Sequence, residues 1–157
     1  MQAADLFLPE CMTMDLQAAN KWEAIRELAG LLLKAGRISS VEQYEQAVVE
    51  REQEVSTGVG FGIGIPHGRS AAVLRSSIAF GRSKKGIPFH AIDHQPVQLV
   101  FLLAVPQAMG DKEYLAALSR LARMIVHEEF RSRLLQAETV EDVLQALEEA
   151  REHEAAG

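Results

Sequence analysis

The sequence has a single cysteine, Cys11, in 157 residues. One cysteine can form neither an internal disulfide nor a cysteine metal cluster, which fits a reducing compartment. Long apolar runs are also missing: none approaches the roughly 18 residues of a membrane-spanning helix, and the first residues carry no basic-then-apolar export signal. We therefore predict a cytoplasmic location and no direct insertion into a membrane.

Basic residues are in the minority, with 16 Lys and Arg against 22 Asp and Glu and a formal net charge of −6. This balance argues against a partner that is bare nucleic acid or an anionic membrane surface. Hydrophobic residues make up 48% of the chain and charged residues 24%, close to the averages of globular domains. Since the sequence has no internal repeats and no low-complexity linker, we predict a single compact domain over residues 1–157.

Apolar residues recur at helical spacing toward both ends of the chain. Behind Asn20, a suitable N-cap, the pattern predicts a helix over about 20–35 that Gly36 would end. The stretch Ser39-Ser40-Val41-Glu42 resembles a capping box for a second helix, which ends near residue 52 and carries Arg51 at its C-terminal end. Three more helices are predicted: one over about 111–127, a short one around Phe130 and Leu134, and one that opens at Thr139.

Two strands are predicted in the middle of the chain, at residues 77–81 and 97–105. The second is apolar on both faces, which is typical of a central strand in a sheet that is covered on both sides. Helices at the two ends with strands between them indicate an α/β fold, a three-layer α/β/α sandwich. Periodicity does not determine the order of the strands.

The stretch from Thr57 to Arg69 is the least ordinary part of the sequence, because glycine alternates in it with Val, Phe and Ile. In an extended conformation, one face of this stretch would be apolar and the other bare backbone that permits close approach. The stretch leads to His67, which stands between Pro66 and Gly68. Pro66 restricts the local backbone, and Gly68 is expected to leave room for an approach to the imidazole. We therefore predict a sterically open, rigidly placed histidine.

The glycine pattern does not match a nucleotide-binding loop. A dinucleotide motif G-x-G-x-x-G that starts at Gly58 would need its third glycine where the sequence has Ile63. A P-loop would need a Lys-Ser or Lys-Thr pair after its glycines, and none follows. We therefore predict no nucleotide cofactor.

Histidine and arginine in this arrangement suit phosphoryl chemistry. A neutral imidazole can attack a phosphoryl group directly, and a guanidinium can hold phosphoryl oxygens by two parallel hydrogen bonds. His67 beside Arg69, with Arg51 sixteen residues upstream, therefore fits a phosphohistidine intermediate. The residues alone also allow ordinary roles, with His67 a hydrogen-bonded polar group after a strand and Arg51 an exposed ion-pairing residue.

A metal site is the third interpretation to weigh. His90 and His94 are four residues apart with Asp93 between them, a spacing that would suit zinc on a helix. Pro88 and Pro96 flank this stretch and disfavour a helix there. We therefore predict no metal site.

Longer motifs in the same part of the chain resemble a known family. They are Arg51-Glu52, Ser56-Thr57-Gly58-Val59-Gly60 and Gly62-Ile63-Gly64-Ile65-Pro66-His67-Gly68, followed by Gln95-Pro96-Val97 and by Glu128-Glu129-Phe130-Arg131. Together they closely resemble the IIA component of the bacterial phosphoenolpyruvate-dependent phosphotransferase system, in its mannitol/fructose/nitrogen-regulatory class. The resemblance extends from about residue 5 to 148, and the motif that ends in His67-Gly68 is its most specific part.

The resemblance implies a domain of IIA type with a mixed sheet of about five strands between helices. It implies that His67 accepts a phosphoryl group from a small histidine phosphocarrier protein and passes it to a IIB component, or signals to a regulatory target by holding it. Arg51 would stabilise the phosphoryl group, with Thr57, Gly68 and Arg69 in the surroundings of the phosphate. Attack by unprotonated His67 needs alignment and charge cancellation, so we expect neither a metal nor another cofactor.

One position departs from the family pattern. Many members have a second histidine close to the first, and Tyr114 stands at the corresponding place in this sequence. A tyrosine can donate a hydrogen bond to a phosphoryl oxygen, but it is neutral at physiological pH and adds no positive charge. Phosphorylation is therefore expected more firmly than onward transfer, and a regulatory binding module of the nitrogen-regulatory type is the alternative function. The ordinary interpretation of Tyr114, an amphipathic residue at the rim of a helix, stays open.

Overall fold

A computed structural model describes residues 3–156 of the chain, with side chains through His153. In this range one mixed sheet of six strands is flanked by five α-helices, which confirms the predicted three-layer α/β/α class. The strands are β1 (Phe7–Thr13), β2 (Gly58–Gly60), β3 (Ile63–Gly64), β4 (His67–Ser70), β5 (Ser77–Ile87) and β6 (Val97–Pro106). The sheet has one strand more than the resemblance implies, and the glycine-rich stretch alone contributes three of the six.

The helices begin where local capping signals favour them. They are α1 (Lys21–Lys34), α2 (Val41–Glu54), α3 (Asp111–Ile125), α4 (Glu128–Gln136) and α5 (Val140–Ala156). Asn20 accepts a hydrogen bond from the backbone N–H of Glu23 at 3.0 Å, and Ser40 accepts one from Gln43 at 3.2 Å. The Asn20 cap confirms the predicted start of α1, and α2 is capped within the predicted stretch, by Ser40 and not by Ser39. Gly36 follows α1 in the left-handed conformation, with φ +75, that glycine adopts without strain.

The central strand is β6, as its two apolar faces predict. The order of strands is β1-β5-β6-β3-β2, and β4 also pairs with β6, farther along it than β3. β1 runs parallel to β5, β5 antiparallel to β6, and β3 and β4 parallel to β6. β5 begins at the predicted position but continues to Ile87, well beyond residue 81.

Strand β1 is an element that the sequence patterns do not predict. It contains Pro9 and Glu10 and lacks a clear alternation of apolar and polar residues. Proline has no backbone N–H to donate, so sheets tolerate it in edge strands and at irregularities. β1 is an edge strand, and its register with β5 shifts between Phe7 and Met12, on either side of Pro9. The described chain therefore opens with a 3-10 turn at Ala3–Leu6 and a strand, ahead of the first predicted helix.

The sheet separates two apolar cores. On one face, α1 and α2 cover residues such as Leu102, and on the other, α3, α4 and α5 cover residues such as Leu103. Cys11 is buried in the first core, and burial is the main cause that raises the pKa of its thiol to about 11. Among the described residues, no helix is both long enough and apolar enough to cross a membrane.

Candidate functional site

The glycine-rich stretch folds back on itself and is not extended throughout. Gly60, Phe61 and Gly62 have φ values of +97°, +58° and +74°, and they join β2 to β3. Glycine adopts these angles freely, whereas a bulky residue with positive φ is strained, typically by about 1–3 kcal/mol. The two glycines therefore let the chain reverse direction, and Phe61 is held at the tip of the turn.

Other glycines of this stretch make room for neighbouring parts of the protein. A Cβ atom built on Gly68 would lie 2.8 Å from Cγ2 of Val48 and 3.1 Å from the backbone nitrogen of Val48, in α2. A Cβ atom on Gly64 would lie 2.7 Å from the ring of Phe89. Gly68 thus allows β4 to pack closely against α2. The predicted open space for an approach to the imidazole is filled by this helix.

His67 is the first residue of β4 and pairs with Leu103 of the central strand. It is 6% exposed, so it is buried where the sequence predicts an open histidine. The Nδ1 atom lies 2.8 Å from the carbonyl oxygen of Ile65. Because a carbonyl only accepts hydrogen bonds, Nδ1 carries the proton and the lone pair of the neutral ring is on Nε2. The backbone therefore sets the tautomer and makes Nε2 the nucleophilic atom.

The surroundings of His67 favour its neutral form. Burial is the largest effect and lowers the pKa of His67 below its ordinary value of 6.5. The hydrogen bond to Ile65 and the negative charge of Glu52 raise this pKa, while the positive charge of Arg51 lowers it. The net direction is downward, so the imidazole is unprotonated at physiological pH.

The lowered pKa of His67 predicts a pH-dependent contribution to stability. Between this pKa and the ordinary value of 6.5, the unfolded chain binds more protons at this residue than the folded protein, so stability is lost as pH falls. We expect the wild type to lose more stability than His67→Gln between about pH 7.5 and pH 5. Urea denaturation at the two pH values measures the difference. Equal losses would show that the pKa of His67 is not lowered by folding.

Tyr114, in the first turn of α3, lies against His67. The centroids of the two rings are 5.9 Å apart, and the rings meet edge to face at 74°. The guanidinium carbon of Arg69 lies 5.2 Å from the centroid of the Tyr114 ring. Arg69 also donates to the carbonyl of Met109 at 2.8 Å and pairs with Asp111 at 2.8 Å, which ties β4 to the start of α3. The structure therefore brings His67, Arg69 and Tyr114 into one cluster.

Arg51 lies in the last turn of α2, as predicted, and its Nη1 donates to the carbonyl of Val55 at 2.9 Å. Its positive charge lowers the pKa of His67 and also that of Tyr114, whose pKa is nevertheless raised overall because burial is the larger effect. Arg51 is thus within electrostatic range of the cluster. Arg51 and Arg69 supply permanent positive charges around a neutral imidazole, with that of Arg69 partly offset by Asp111, which is an arrangement suited to binding and transferring an anionic group.

A buried ion pair that sequence reasoning misses holds the end of α2. Nζ of Lys21 and Oε2 of Glu52 are 3.0 Å apart, and neither side chain is more than 3% exposed. Thr57 donates to the same carboxylate twice, from its backbone N–H at 2.8 Å and from its hydroxyl at 2.5 Å. The Lys21 ammonium also lies 5.2 Å from the ring centroids of Trp22 and Phe89. The buried Glu52 carboxylate and Lys21 ammonium therefore each have several stabilising contacts.

This ion pair determines what Thr57 does in the structure. The single hydroxyl proton of Thr57 is donated to Glu52, so the side chain fixes the segment between α2 and β2. Arg51 binds the carbonyl of Val55 in that same segment. Glu52 and Thr57 therefore help to hold Arg51 in place, whereas the family resemblance implies that Thr57 lies in the surroundings of the phosphate.

The two histidines that the sequence offers as metal ligands lie in the loop between β5 and β6. His90 and His94 have φ values of +56° and +59°, so this stretch is not helical, as the flanking prolines predict. Within the described part of the chain, no three His, Cys, Asp or Glu side chains form a group suited to a metal ion.

Comparison with known sequences identifies the family. The sequence matches the family described as "Phosphoenolpyruvate-dependent sugar phosphotransferase system, EIIA 2" over residues 5–150. The fructose-specific EIIA component of the phosphotransferase system of Haloferax volcanii is 44% identical over 138 residues, which cover 86% of this chain and 89% of that protein. The family match includes every residue of the His67 cluster.

Solved structures agree with the sequence match. Nitrogen regulatory protein IIA-Ntr from Neisseria meningitidis aligns with a TM-score of 0.82 at 30% identity, over 92% of this chain and 97% of that one. The complex of enzyme IIAMTL and phosphorylated enzyme IIBMTL from Escherichia coli contains a chain that aligns with a TM-score of 0.76 at 28% identity, over 90% and 98% of the two chains. This chain therefore belongs to the EIIA 2 family of the phosphoenolpyruvate-dependent sugar phosphotransferase system.

Proposed function

We propose that the chain is a single IIA domain that carries a phosphoryl group on His67. The observation that carries the proposal is the hydrogen bond from Nδ1 of His67 to the Ile65 carbonyl, which leaves the lone pair on Nε2. The lowered pKa of His67 keeps this lone pair available at physiological pH. The donor is a histidine phosphocarrier protein, whose phosphohistidine is a reactive phosphoramidate, so the proposal includes neither a metal nor a nucleotide.

The transfer is balanced without movement of a proton. The Nε2 lone pair of His67 attacks the phosphorus in line, and the bond from phosphorus to the donor nitrogen breaks with its electron pair returning to the donor ring, which leaves as a neutral imidazole because its other nitrogen already carries a proton. Nδ1 of His67 keeps its proton, so the phosphorylated ring is an imidazolium. The Ile65 carbonyl, which accepts from Nδ1–H, stabilises the positive charge of that ring.

The charged arginines and the neutral tyrosine near His67 act on the phosphoryl group in different ways. Arg51 and Arg69 offset the negative charge of the phosphoryl oxygens. Tyr114 donates its hydroxyl proton to one of those oxygens, because its raised pKa keeps it protonated. Gly68 serves the site through the close packing of β4 on α2, and Thr57 acts through Glu52.

The next step is proposed to be transfer to a IIB component. The solved complex of a similar IIA chain with a phosphorylated IIB protein supports this partner. A regulatory role is the second candidate, and the similarity to a nitrogen regulatory protein supports it. The contact of the uncharged Tyr114 with His67 also favours the second candidate, since Tyr114 adds no positive charge for the onward transfer.

Intact mass spectrometry tests the proposal. The wild type is incubated with phosphoenolpyruvate, the general phosphotransferase enzyme and its histidine carrier, and should gain one acid-labile phosphoryl group. Nuclear magnetic resonance of the ring nitrogens should locate the phosphorus on Nε2. Absence of the phosphoryl group, with a carrier that phosphorylates another IIA domain in parallel, would reject the carrier function. Addition of a IIB component then distinguishes transport, where the group leaves this chain, from regulation, where it stays.

A further inference from the structure

Phe61 has two features that are unfavourable for the stability of the fold, and its side chain is not part of the apolar core. The side chain is 72% exposed, and the backbone has φ +58°, which is strained for a bulky residue. The flanking Gly60 and Gly62 hold this conformation, and the Gly62 carbonyl accepts hydrogen bonds from the backbone N–H groups of Gln98 and Leu99. An aromatic ring held outward on a rigid turn is a feature typical of recognition.

The guanidinium of Arg131 packs against the ring of Phe61. Its guanidinium carbon lies 4.6 Å from the centroid of the Phe61 ring, and its Nη1 donates to the carbonyls of Ile125 and Val126 at 3.0 and 2.6 Å. The side chain of Val126 is 62% exposed. These three residues, Phe61, Val126 and Arg131, are called the Phe61 patch. Aromatic and arginine side chains are the residue types that contribute most to the centres of protein interfaces.

The Phe61 patch lies on the same face of the sheet as the phosphoacceptor. His67 pairs with Leu103 and Ile63 pairs with Leu99, and both leucines belong to the core that α3, α4 and α5 cover. Phe61 contacts Arg131 of α4, so it too is on this side. Phe61 and His67 are six positions apart in the chain, which limits their distance to about 20 Å at about 3.3 Å per residue.

One side of α3 connects the two places. Leu115, Ala122 and the C-cap residue Val126 are seven and then four positions apart, which puts them on this side, with the exposed Ser119 between Leu115 and Ala122. Leu115 is 65% exposed and follows Tyr114, which contacts His67. The exposed surface therefore continues from the phosphoacceptor along α3 to the Phe61 patch.

We infer that the Phe61 patch is the anchor by which the phosphoryl-donating carrier protein docks on this chain. The inference rests on the proposed function, because direct transfer to His67 requires the donor protein to cover this face. A standard interface of about 800 Å² per partner is a disc roughly 32 Å across, wide enough to contain both His67 and Phe61. The matching donor surface is apolar, with an acidic or carbonyl group opposite the Arg131 guanidinium.

The test compares Phe61→Asn with Leu33→Gln. Asparagine tolerates positive φ, so Phe61→Asn removes the ring without added backbone strain. Leu33 is 44% exposed on α1, on the opposite face of the sheet, and its replacement controls for the loss of an exposed apolar side chain. Initial rates of phosphorylation are measured against the concentration of phosphorylated carrier. A second series uses phosphoramidate, a small donor that needs no docking surface.

Phe61→Asn should raise KM for the carrier about tenfold or more and leave kcat within about twofold, because a docking residue contributes equally to the bound and reacting states. The rate with phosphoramidate should be unchanged, and Leu33→Gln should behave as the wild type with both donors. An unchanged KM in Phe61→Asn would overturn the inference, as would an equal loss with phosphoramidate, which would assign Phe61 to the geometry of the site. A wild-type dimer that Phe61→Asn dissolves, seen by sedimentation, would assign the patch to a second copy instead. Failure of the wild type to be phosphorylated by any carrier would reject the proposed function, a result distinct from these.

Discussion

Replacement of His67 by glutamine is expected to abolish uptake of the phosphoryl group from the carrier. The glutamine amide N–H can still donate to the Ile65 carbonyl that Nδ1 of His67 now contacts, but the side chain has no nucleophilic lone pair to match Nε2. Intact mass spectrometry should find one acid-labile phosphoryl group on the wild type and none on the variant. Circular dichroism should find the same helix content in both, because the substitution preserves size and the backbone contact.

Two exposed histidines provide matched controls for this experiment. His90 and His94 lie in the loop between β5 and β6, outside the cluster around His67. His90→Gln and His94→Gln should each take up the phosphoryl group to the wild-type extent. Phosphorylation that persists in His67→Gln would place the acceptor elsewhere and reject the proposed mechanism. Loss in a control variant but not in His67→Gln would assign the acceptor to that loop.

Two polar residues of this site, Arg51 and His67, are predicted from the sequence because local sequence signals mark them. The capping pattern over residues 39–42 and the helical spacing behind it place Arg51 at the end of α2, where the structure has it. The glycine-rich motif marks His67. Both predictions depend on residues that are neighbours in the chain or repeat at the period of a helix. The position of Tyr114 comes from the family resemblance, and its contact with His67 is a finding of the structure.

Other parts of the site depend on contacts between residues that are far apart in the chain. Local sequence patterns do not predict such contacts. Lys21 and Glu52 are 31 residues apart, and each alone looks like an exposed charge on a helix. The turn at Phe61 is not predicted for a different reason. A stretch with glycine at alternate positions is compatible both with an extended strand and with a turn that reverses the chain. Gly68 predicts an open approach to the imidazole, but a missing side chain looks the same in sequence whether a ligand or, as here, helix α2 fills the space.

Removal of the buried ammonium by Lys21→Met is expected to cost about 3–5 kcal/mol of the free energy of unfolding. The Glu52 carboxylate would keep its two hydrogen bonds from Thr57 but lose the ammonium 3.0 Å away, at a place where neither side chain is more than 3% exposed. Domains unfold with about 5–15 kcal/mol, so the loss is a large share of the total. Urea denaturation at neutral pH measures it.

Arg26→Met is the matched control, because it removes a positive charge from the same helix. Arg26 pairs with Glu45 at 3.0 Å, the same distance as the buried pair, but its side chain is 58% exposed. Water screens such a pair, so this variant should lose only about 0–1 kcal/mol. Similar losses in Arg26→Met and Lys21→Met would contradict the importance of burial for the Lys21–Glu52 pair.

The double variant Lys21→Met/Glu52→Gln separates the unpaired charge from the loss of packing. It leaves no buried charge without a partner, so it should regain at least about 2 kcal/mol relative to Lys21→Met. Lys21→Met should also be phosphorylated more slowly under conditions where it is folded, because the Glu52 carboxylate loses the ammonium that fixes it and, through Thr57, holds the segment that binds Arg51 less firmly. The pKa of His67 reports the same displacement, since the charge of Arg51 lowers it and a withdrawn Arg51 would let it rise. A loss of stability in Lys21→Met with an unchanged titration of His67 would restrict the ion pair to a structural role, whereas a shift in both would make it a positioning device for the site.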